Sequence, residues 1–288
     1  MLDAGKIRFS EKHTHDYGLF IDSEEILYSR RSKYQLVEVL KTDTWGNLLL
    51  LDRNIMTTER DEFIYHEVIT QIGMHTTDAK RVLVIGGGDG GTIRELLKHD
   101  KIEKVVLVEI DEDVIEVCKE YFPKIACSFD DPRLDLKVED GIRYVNGSRE
   151  KFDMVIIDSS DPFGPAEGLF KAEFYQACKK LLTEDGVLLC QAGNAFMTDE
   201  SVIAYSNLAE VFKNIEYFLA PILTYGGLWG FVYASDTRYS QRDFDEKYFD
   251  KTSQKMNFKY YNKEIHQAVF ALPPFMKKKL KGELVETD

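Results

Sequence analysis

The chain has 288 residues, 44% of them hydrophobic and 30% charged, proportions of a globular protein able to hold one large α/β domain and a small companion. Its formal net charge of −13 argues against a phosphate backbone as partner, which wants basic surface, and is compatible with cationic substrates or with a role in solubility alone. No apolar stretch approaches the ~20 residues that span a bilayer, and the polar N-terminus does not read as a signal peptide, so a cytoplasmic protein with no membrane partner is expected.

Residues 1–58 are predicted to form an antiparallel β domain, and residues 59–288 a second, larger domain. Short segments at Leu19–Ile21, Ile26–Ser32, Gln35–Thr42, Leu48–Asp52 and Asn54–Thr58 are separated by turn-forming residues such as Asp43-Thr-Trp-Gly-Asn47. A meander this small buries little core alone and is expected to pack on the larger domain or on another subunit. The next stretch opens with helix N-terminal signals, Thr58 followed by acids. Phe63, Ile64, Val68 and Ile69 would form its buried face, leaving Tyr65 and His66 to point elsewhere, toward a cleft.

Val82–Ile85 reads as a buried strand and Thr92–Lys98 as a helix, with Gly86, Gly88 and Gly91 between them in the G-x-G-x-x-G spacing. Glu109 ends the next strand, Lys104–Glu109, where an acid commonly binds ribose hydroxyls. Asp89 is the unusual residue. A helix N-terminus attracts anions, and a carboxylate in that loop would repel a pyrophosphate. The loop therefore suits a nucleoside that carries positive charge, such as an S-adenosyl sulfonium compound.

Beyond it, helix Asp113–Phe122, strand Asp135–Val138, strand Met154–Ile157, helix Ala172–Leu182, strand Val187–Gln191 and helix Ser201–Phe212 follow, and strands at Ile215–Leu219 and Trp229–Ala234 make an antiparallel hairpin. Repeated βαβ units predict an α/β domain with a mostly parallel sheet covered on both faces. Ligands of such sheets lie at the carboxyl ends of the strands, which aligns the glycine loop, Glu109, Asp140, Asp158 and Gln191 along one edge. The Lys277–Lys281 run is expected to be a solvated tail. Cys118, Cys127, Cys178 and Cys190 have no C-x-x-C pairing and read as reduced, partly buried residues. The six histidines form no metal set.

Asp158-Ser-Ser-Asp-Pro-Phe-Gly-Pro-Ala-Glu167 opens from a strand end. Asp158, Asp161 and Asp89 then crowd one crevice, an arrangement that costs free energy unless a cation sits among them. Without histidines to complete a transition-metal site, a polyamine is the better cation. The loop from Ser159 to Leu169 is expected to close over a bound ligand.

These stretches, with Tyr34-Gln35, Leu51-Asp52-Arg53, Thr58-Glu-Arg-Asp-Glu-Phe63, Tyr65, Gly86-Gly-Gly-Asp-Gly-Gly91, Glu109-Ile-Asp-Glu-Asp-Val114, Asp140-Gly141, Asp158-Ser-Ser-Asp-Pro162, Gly164-Pro165 and Thr224-Tyr225, resemble the polyamine aminopropyltransferase (spermidine synthase) family over nearly the whole chain. The resemblance implies transfer of an aminopropyl group from decarboxylated S-adenosylmethionine to putrescine, giving spermidine and methylthioadenosine, with agmatine, cadaverine or spermidine as alternative acceptors. It also implies a small N-terminal antiparallel β domain before a methyltransferase-like Rossmann domain, a homodimer or homotetramer, no metal, and a donor that is a co-substrate rather than a cofactor. Carried over, Gln35, Glu109, Asp140, Gly141 and Pro165 would surround the methylthioadenosine portion. His66, Asp89, Asp158, Asp161, Gln191 and Tyr225 would contact the amines, with Asp158 as proton acceptor and Tyr65 beside it. After Gln191 the family usually has a Ser/Glu-containing stretch, here Ala192-Gly-Asn-Ala-Phe196, and His66 replaces a glutamine found in some members. Both departures bear on acceptor preference. An S-adenosylmethionine methyltransferase shares the fold and Glu109, and a non-catalytic polyamine-binding protein needs neither the nucleoside loop nor Asp158.

Overall fold

The computed structural model describes residues 6–161, 164–194, 196 and 199–283. A hairpin of β1 (Ile7–Lys12) and β2 (Gly18–Ser23) precedes an antiparallel meander of β3 (Glu25–Arg31), β4 (Leu36–Thr42), β5 (Gly46–Leu51) and β6 (Asn54–Thr58). Alternation along these strands gives the meander two apolar faces. Leu40, Leu48, Leu50 and Ile55 pack with Phe9 and Ile21 of the hairpin. Val37, Val39 and Leu49 pack instead on Val114, Val117, Cys118 and Phe122 of the following domain. Strand β1 was not anticipated from sequence, since Ile7-Arg-Phe-Ser-Glu-Lys12 carries too few apolar residues to stand out.

The larger domain holds a seven-stranded sheet in the order β12-β13-β11-β10-β7-β8-β9. Its strands are β7 (Arg81–Gly86), β8 (Lys104–Glu109), β9 (Leu134–Val138), β10 (Phe152–Asp158), β11 (Leu182–Asn194), β12 (Asn214–Ile222) and β13 (Gly227–Ser235). The five from β7 to β11 are parallel, and the expected β12–β13 hairpin joins antiparallel to β11. The chain runs outward from β7 through α2 (Gly91–Leu97) to β8 and through α3 (Glu112–Tyr121) to β9, then returns through α4 (Gly141–Gly147) to β10 on the other side of β7. That reversal opens a crevice between the ends of β7 and β10, the place where doubly wound sheets take ligands. Helices α5 (Ala172–Leu181) and α6 (Glu200–Ala209) follow on either side of β11 in sequence.

Helix α1 (Glu62–Met74) joins the two domains and differs from expectation. Thr58 ends β6, and Asp61 stands at the N-cap. Because α1 packs on α2, β11 and β12, it is buried almost all round. Tyr65 and His66 are inside together with Val68 and Ile69, whereas Phe63 and Ile64 are only half-buried. The C-terminal region also departs from the sequence reading. It forms α7 (Glu246–Met256), α8 (Lys263–Ala268) and α9 (Pro274–Leu280). The expected solvated lysine tail is the outer face of α9, whose Met276 and Leu280 enter the main core. Cys118, Cys178 and Cys190 are buried, but Cys127 is exposed. Among the described residues no helix is long and apolar enough to cross a membrane.

One carboxylate fastens the domains together. Asp61 accepts hydrogen bonds from Thr58 Oγ1 at 2.6 Å, Thr224 Oγ1 at 2.8 Å and the Thr224 amide at 3.2 Å, joining the end of the meander to the turn between β12 and β13. Asp61→Ala is expected to cost about 1–3 kcal/mol for each buried donor that it strands. Urea unfolding measures this, and an unchanged midpoint would show that the bonds contribute nothing.

Candidate active site

One cavity runs along the carboxyl ends of the parallel strands. In sheet order its floor is Gln191 on β11, Asp158 ending β10, the glycine loop after β7, Glu109 ending β8, and Asp140 just beyond β9. Gln35, Leu49, Leu51, Ile55 and Met56 close it from the N-terminal domain, and Tyr65, His66, Tyr225 and Trp229 complete the wall. Gly141 and Asp161 also line it. Pro165 lies in a 3-10 helix, Gly164–Phe170, but its side chain, like residues 162–163, is outside the described residues.

The glycine loop lets carboxylates come against its backbone. Gly86 has φ +81, and a methyl group there would overlap the Asp158 carbonyl. A methyl group at Gly88 would stand 2.9 Å from Glu109 Oε2. Glu109 accepts from the Asp111 amide at 2.9 Å. Burial pushes its carboxyl up to about 7, although the nearby amides of Asp111, Ile110 and Gly88 favour its charge; further donors, such as a ligand's hydroxyl groups, would favour it more. Gln35 reaches the same corner, its amide donating to Asp111 Oδ2 at 2.8 Å. Asp140 caps α4, accepting from the amides of Ile142 and Arg143 at 2.7 and 3.1 Å.

Toward the other end Asp158 is held from both sides. Tyr65 donates its hydroxyl to Oδ1 at 2.5 Å, and Thr92 donates to Oδ2 at 2.7 Å. Burial and the neighbouring Asp89 charge push the Asp158 carboxyl up in spite of these two donors. Asp89 accepts from the Gly91 amide at 2.9 Å and faces His66 Nε2 at 3.2 Å. Burial works against its charge as well, but His66 holds its carboxyl below the usual range.

Two of the expected contact residues are committed elsewhere. Gln191 donates to the carbonyls of Ser159 and Ser160 at 3.0 and 3.2 Å and accepts from the Gly193 amide at 2.9 Å. It positions the loop after Asp158. Tyr225 donates to the Met56 carbonyl, and its ring meets Trp229 edge-on at 4.7 Å and Tyr65 at 6.0 Å. Within the Ser159–Leu169 loop, Ala166 and Leu169 lie in the main core.

Sequence reasoning missed Glu62, Thr92, Arg94, Asp111 and Trp229. Glu62 precedes His66 by one helical turn, a spacing at which side chains meet, and that signal was available. Thr92 and Asp111 serve the site only through the tertiary approach of β10 and of Gln35.

The arrangement has a corner at Glu109 and Asp140 and an acidic, aromatic-walled end at Asp89 and Asp158. Comparison with known proteins gives two family matches. Residues 7–59 match the spermidine synthase tetramerisation domain, and residues 62–256 the spermine/spermidine synthase domain. A polyamine aminopropyltransferase of Clostridium kluyveri is 42% identical over 270 residues, covering 92% of this chain and 96% of its own. That of Methanocaldococcus jannaschii is 41% identical over 284 residues, covering 96% of each. A crystal structure of spermidine synthase in complex with the transition-state analogue AdoDATO superposes with a TM-score of 0.92 at 40% identity, covering 96% of this chain and 95% of the other. Spermidine synthase from Thermotoga maritima gives 0.91 at 39%, covering 96% and 94%.

The packing of the loop against α1 can be tested directly. A methyl group at Gly91 would overlap the His66 ring, whereas one at Gly147, the last residue of α4, meets nothing within 4 Å. Gly91→Ala is expected to destabilise by about 1–3 kcal/mol through overpacking, and Gly147→Ala to change stability by less than about 1 kcal/mol, the helix preference for alanine. Equal melting temperatures for the two variants would contradict the contact.

Proposed function

The chain belongs to the spermine/spermidine synthase family of polyamine aminopropyltransferases, and from that premise we propose that it transfers the aminopropyl group of decarboxylated S-adenosylmethionine to putrescine, releasing spermidine and methylthioadenosine. The observation that carries this reading is the position of Asp158, braced by Tyr65 and Thr92 and next to Asp89 on a nucleoside loop. In this reading Glu109 accepts from the ribose hydroxyls and Asp140 from the adenine amino group, with Gln35, Gly141 and Pro165 around the same moiety. Asp89, Asp161 and His66 meet the amines, and Tyr225 packs beside them. The donor is consumed as a co-substrate, and the proposed reaction calls on no metal or cofactor.

A primary amine with a pKa of ~10.4 is protonated at neutral pH and cannot attack. Asp158 takes one proton from it, and the freed lone pair attacks the carbon next to the sulfonium sulfur. The carbon–sulfur bond breaks, and its electron pair leaves sulfur neutral in methylthioadenosine. The raised Asp158 carboxyl narrows the gap to the amine, which favours proton transfer. Holding nucleophile and carbon in line supplies much of the remaining acceleration. Asp89 would attract the donor's amine and repel the carboxylate of intact S-adenosylmethionine. We further propose that residues 7–59 join copies of the chain into a homodimer or homotetramer. Exposed Ile7, Phe20 and Ile26 on that domain support such a contact.

Asp158→Asn is expected to lower kcat for methylthioadenosine release by roughly 10²–10⁴, the scale of general-base catalysis, with little change in nucleoside binding. Near-normal turnover would remove Asp158 from the mechanism. For Asp89→Ala, equilibrium binding of the two donors should show a reduced preference for the decarboxylated one. An unchanged ratio would mean that discrimination arises elsewhere.

A further inference from the structure

His66 stands between two carboxylates. Its Nδ1 lies 2.7 Å from Glu62 Oε2, and its Nε2 lies 3.2 Å from Asp89 Oδ2. A neutral imidazole has one N–H, and an ionised carboxylate only accepts. Both contacts are therefore satisfied only if the ring is an imidazolium or one carboxylate is protonated. The second possibility is closed off at Glu62, whose two oxygens both accept from Arg94, and disfavoured at Asp89, whose carboxyl the adjacent His66 holds below the usual range. Arg94 donates to both Glu62 oxygens, at 2.9 and 2.8 Å, and Asp89 accepts from the Gly91 amide. Arg94 is fixed in turn by Glu95, which also pairs with Lys98.

Of the other groups around the ring, one is an anion and two are uncharged. Asp158 from β10 acts on His66 as a further anion. Tyr65, on the same helix, presents its ring edge-on at 5.2 Å, and Gly91 of α2 packs against the imidazole with no side chain. Burial opposes the imidazolium, but Asp89 and Glu62 outweigh it and hold its pKa well above the ordinary range. Burial likewise opposes the Glu62 charge, yet His66 and Arg94 keep that carboxyl down at about 2.

Resting on the reading of Asp89 as an amine site, we propose that Glu62 is a positioning residue that keeps His66 as an imidazolium on Asp89 until a cationic amine arrives, and that amine binding drives this proton off the ring. An ammonium group reaching Asp89 meets a cation already seated there. Two cations on one carboxylate repel, and the imidazolium relieves the repulsion by releasing its Nε2 proton to solvent. The remaining proton stays on Nδ1, where Glu62 accepts it. Nε2 then becomes an acceptor for an ammonium N–H. Glu62 thus selects the tautomer as well as the charge. Because the proton leaves on binding, amine affinity should rise with pH between the pKa of His66 in the complex and its higher value in the free enzyme.

Calorimetric titration of putrescine into enzyme saturated with methylthioadenosine, in buffers of different ionisation enthalpy between pH 6 and 9, counts the protons released. Imidazole ¹⁵N resonances give the His66 charge directly, with and without both ligands. The expected result is a His66 titration in the free wild-type enzyme above the ordinary range, lowered by at least about one pH unit in the complex, a tenfold change in equilibrium. His66→Gln should lose the matching part of the proton release, and Glu62→Gln should move the free-enzyme titration downward. If Glu62→Gln does not fold, the wild-type resonances and His66→Gln still decide. A neutral His66 in the free enzyme at pH 7, or equal proton release from wild type and His66→Gln with putrescine bound to both, would overturn the proposal. Failure of putrescine to bind the saturated wild-type enzyme would instead contradict the amine-site reading, and with it the displacement step.

Discussion

Negative charge gathered at the carboxyl edge of the sheet is the constraint around which the rest of the molecule is arranged. Asp89, Asp158, Asp161 and Glu109 line one cavity, and His66 is the one residue among the described lining that can carry positive charge. Buried like charges raise one another's pKa and cost free energy until a cation or donors arrive. The directions of the shifts follow this. Asp89, in contact with His66, is held down, whereas Asp158 and Glu109, without a cationic contact, are pushed up. The site therefore holds part of its affinity for cations and hydroxyl donors as unfavourable electrostatics that binding relieves.

The surrounding architecture keeps those groups close. Glycines at positions 87 and 88 permit an approach between loop and carboxylates that a Cβ would block. Helix α1 places Glu62, Tyr65 and His66 on successive contacts with Asp158, Asp89 and Arg94. The N-terminal sheet covers the crevice with Leu49, Leu51 and Ile55, so that electrostatic interactions inside act through less water. Asp61 and Tyr225 tie that cover to the β12–β13 turn. The small domain thus completes the site that the Rossmann sheet begins.

Much of this was legible in sequence because local chemistry and global topology agree. The apolar runs at Val82–Ile85 and Lys104–Glu109 lie within or coincide with strands β7 and β8, and the strand-end rule aligns Gln191, Asp158, Glu109 and Asp140, all of which line the cavity. Periodicity failed where tertiary contact decides the environment. In α1, burial on several sides erases the amphipathic stripe, so Phe63 and Ile64 were placed inside in preference to Tyr65 and His66. In α9 the lysines concealed a two-residue anchor, Met276 and Leu280. Gln191 shows a different limit. Its position was correct, but its hydrogen-bond partners are main-chain groups of Ser159, Ser160 and Gly193, which residue type alone cannot reveal.

The central claim is that this acidic edge joins a cationic nucleoside to an amine. Incubation with both decarboxylated and intact S-adenosylmethionine, and with equimolar putrescine, agmatine, cadaverine and spermidine, followed by mass spectrometry of the amines, tests it most directly. The expected result is aminopropylated putrescine formed from the decarboxylated donor. Methylated amines, or four unchanged amines, would contradict it.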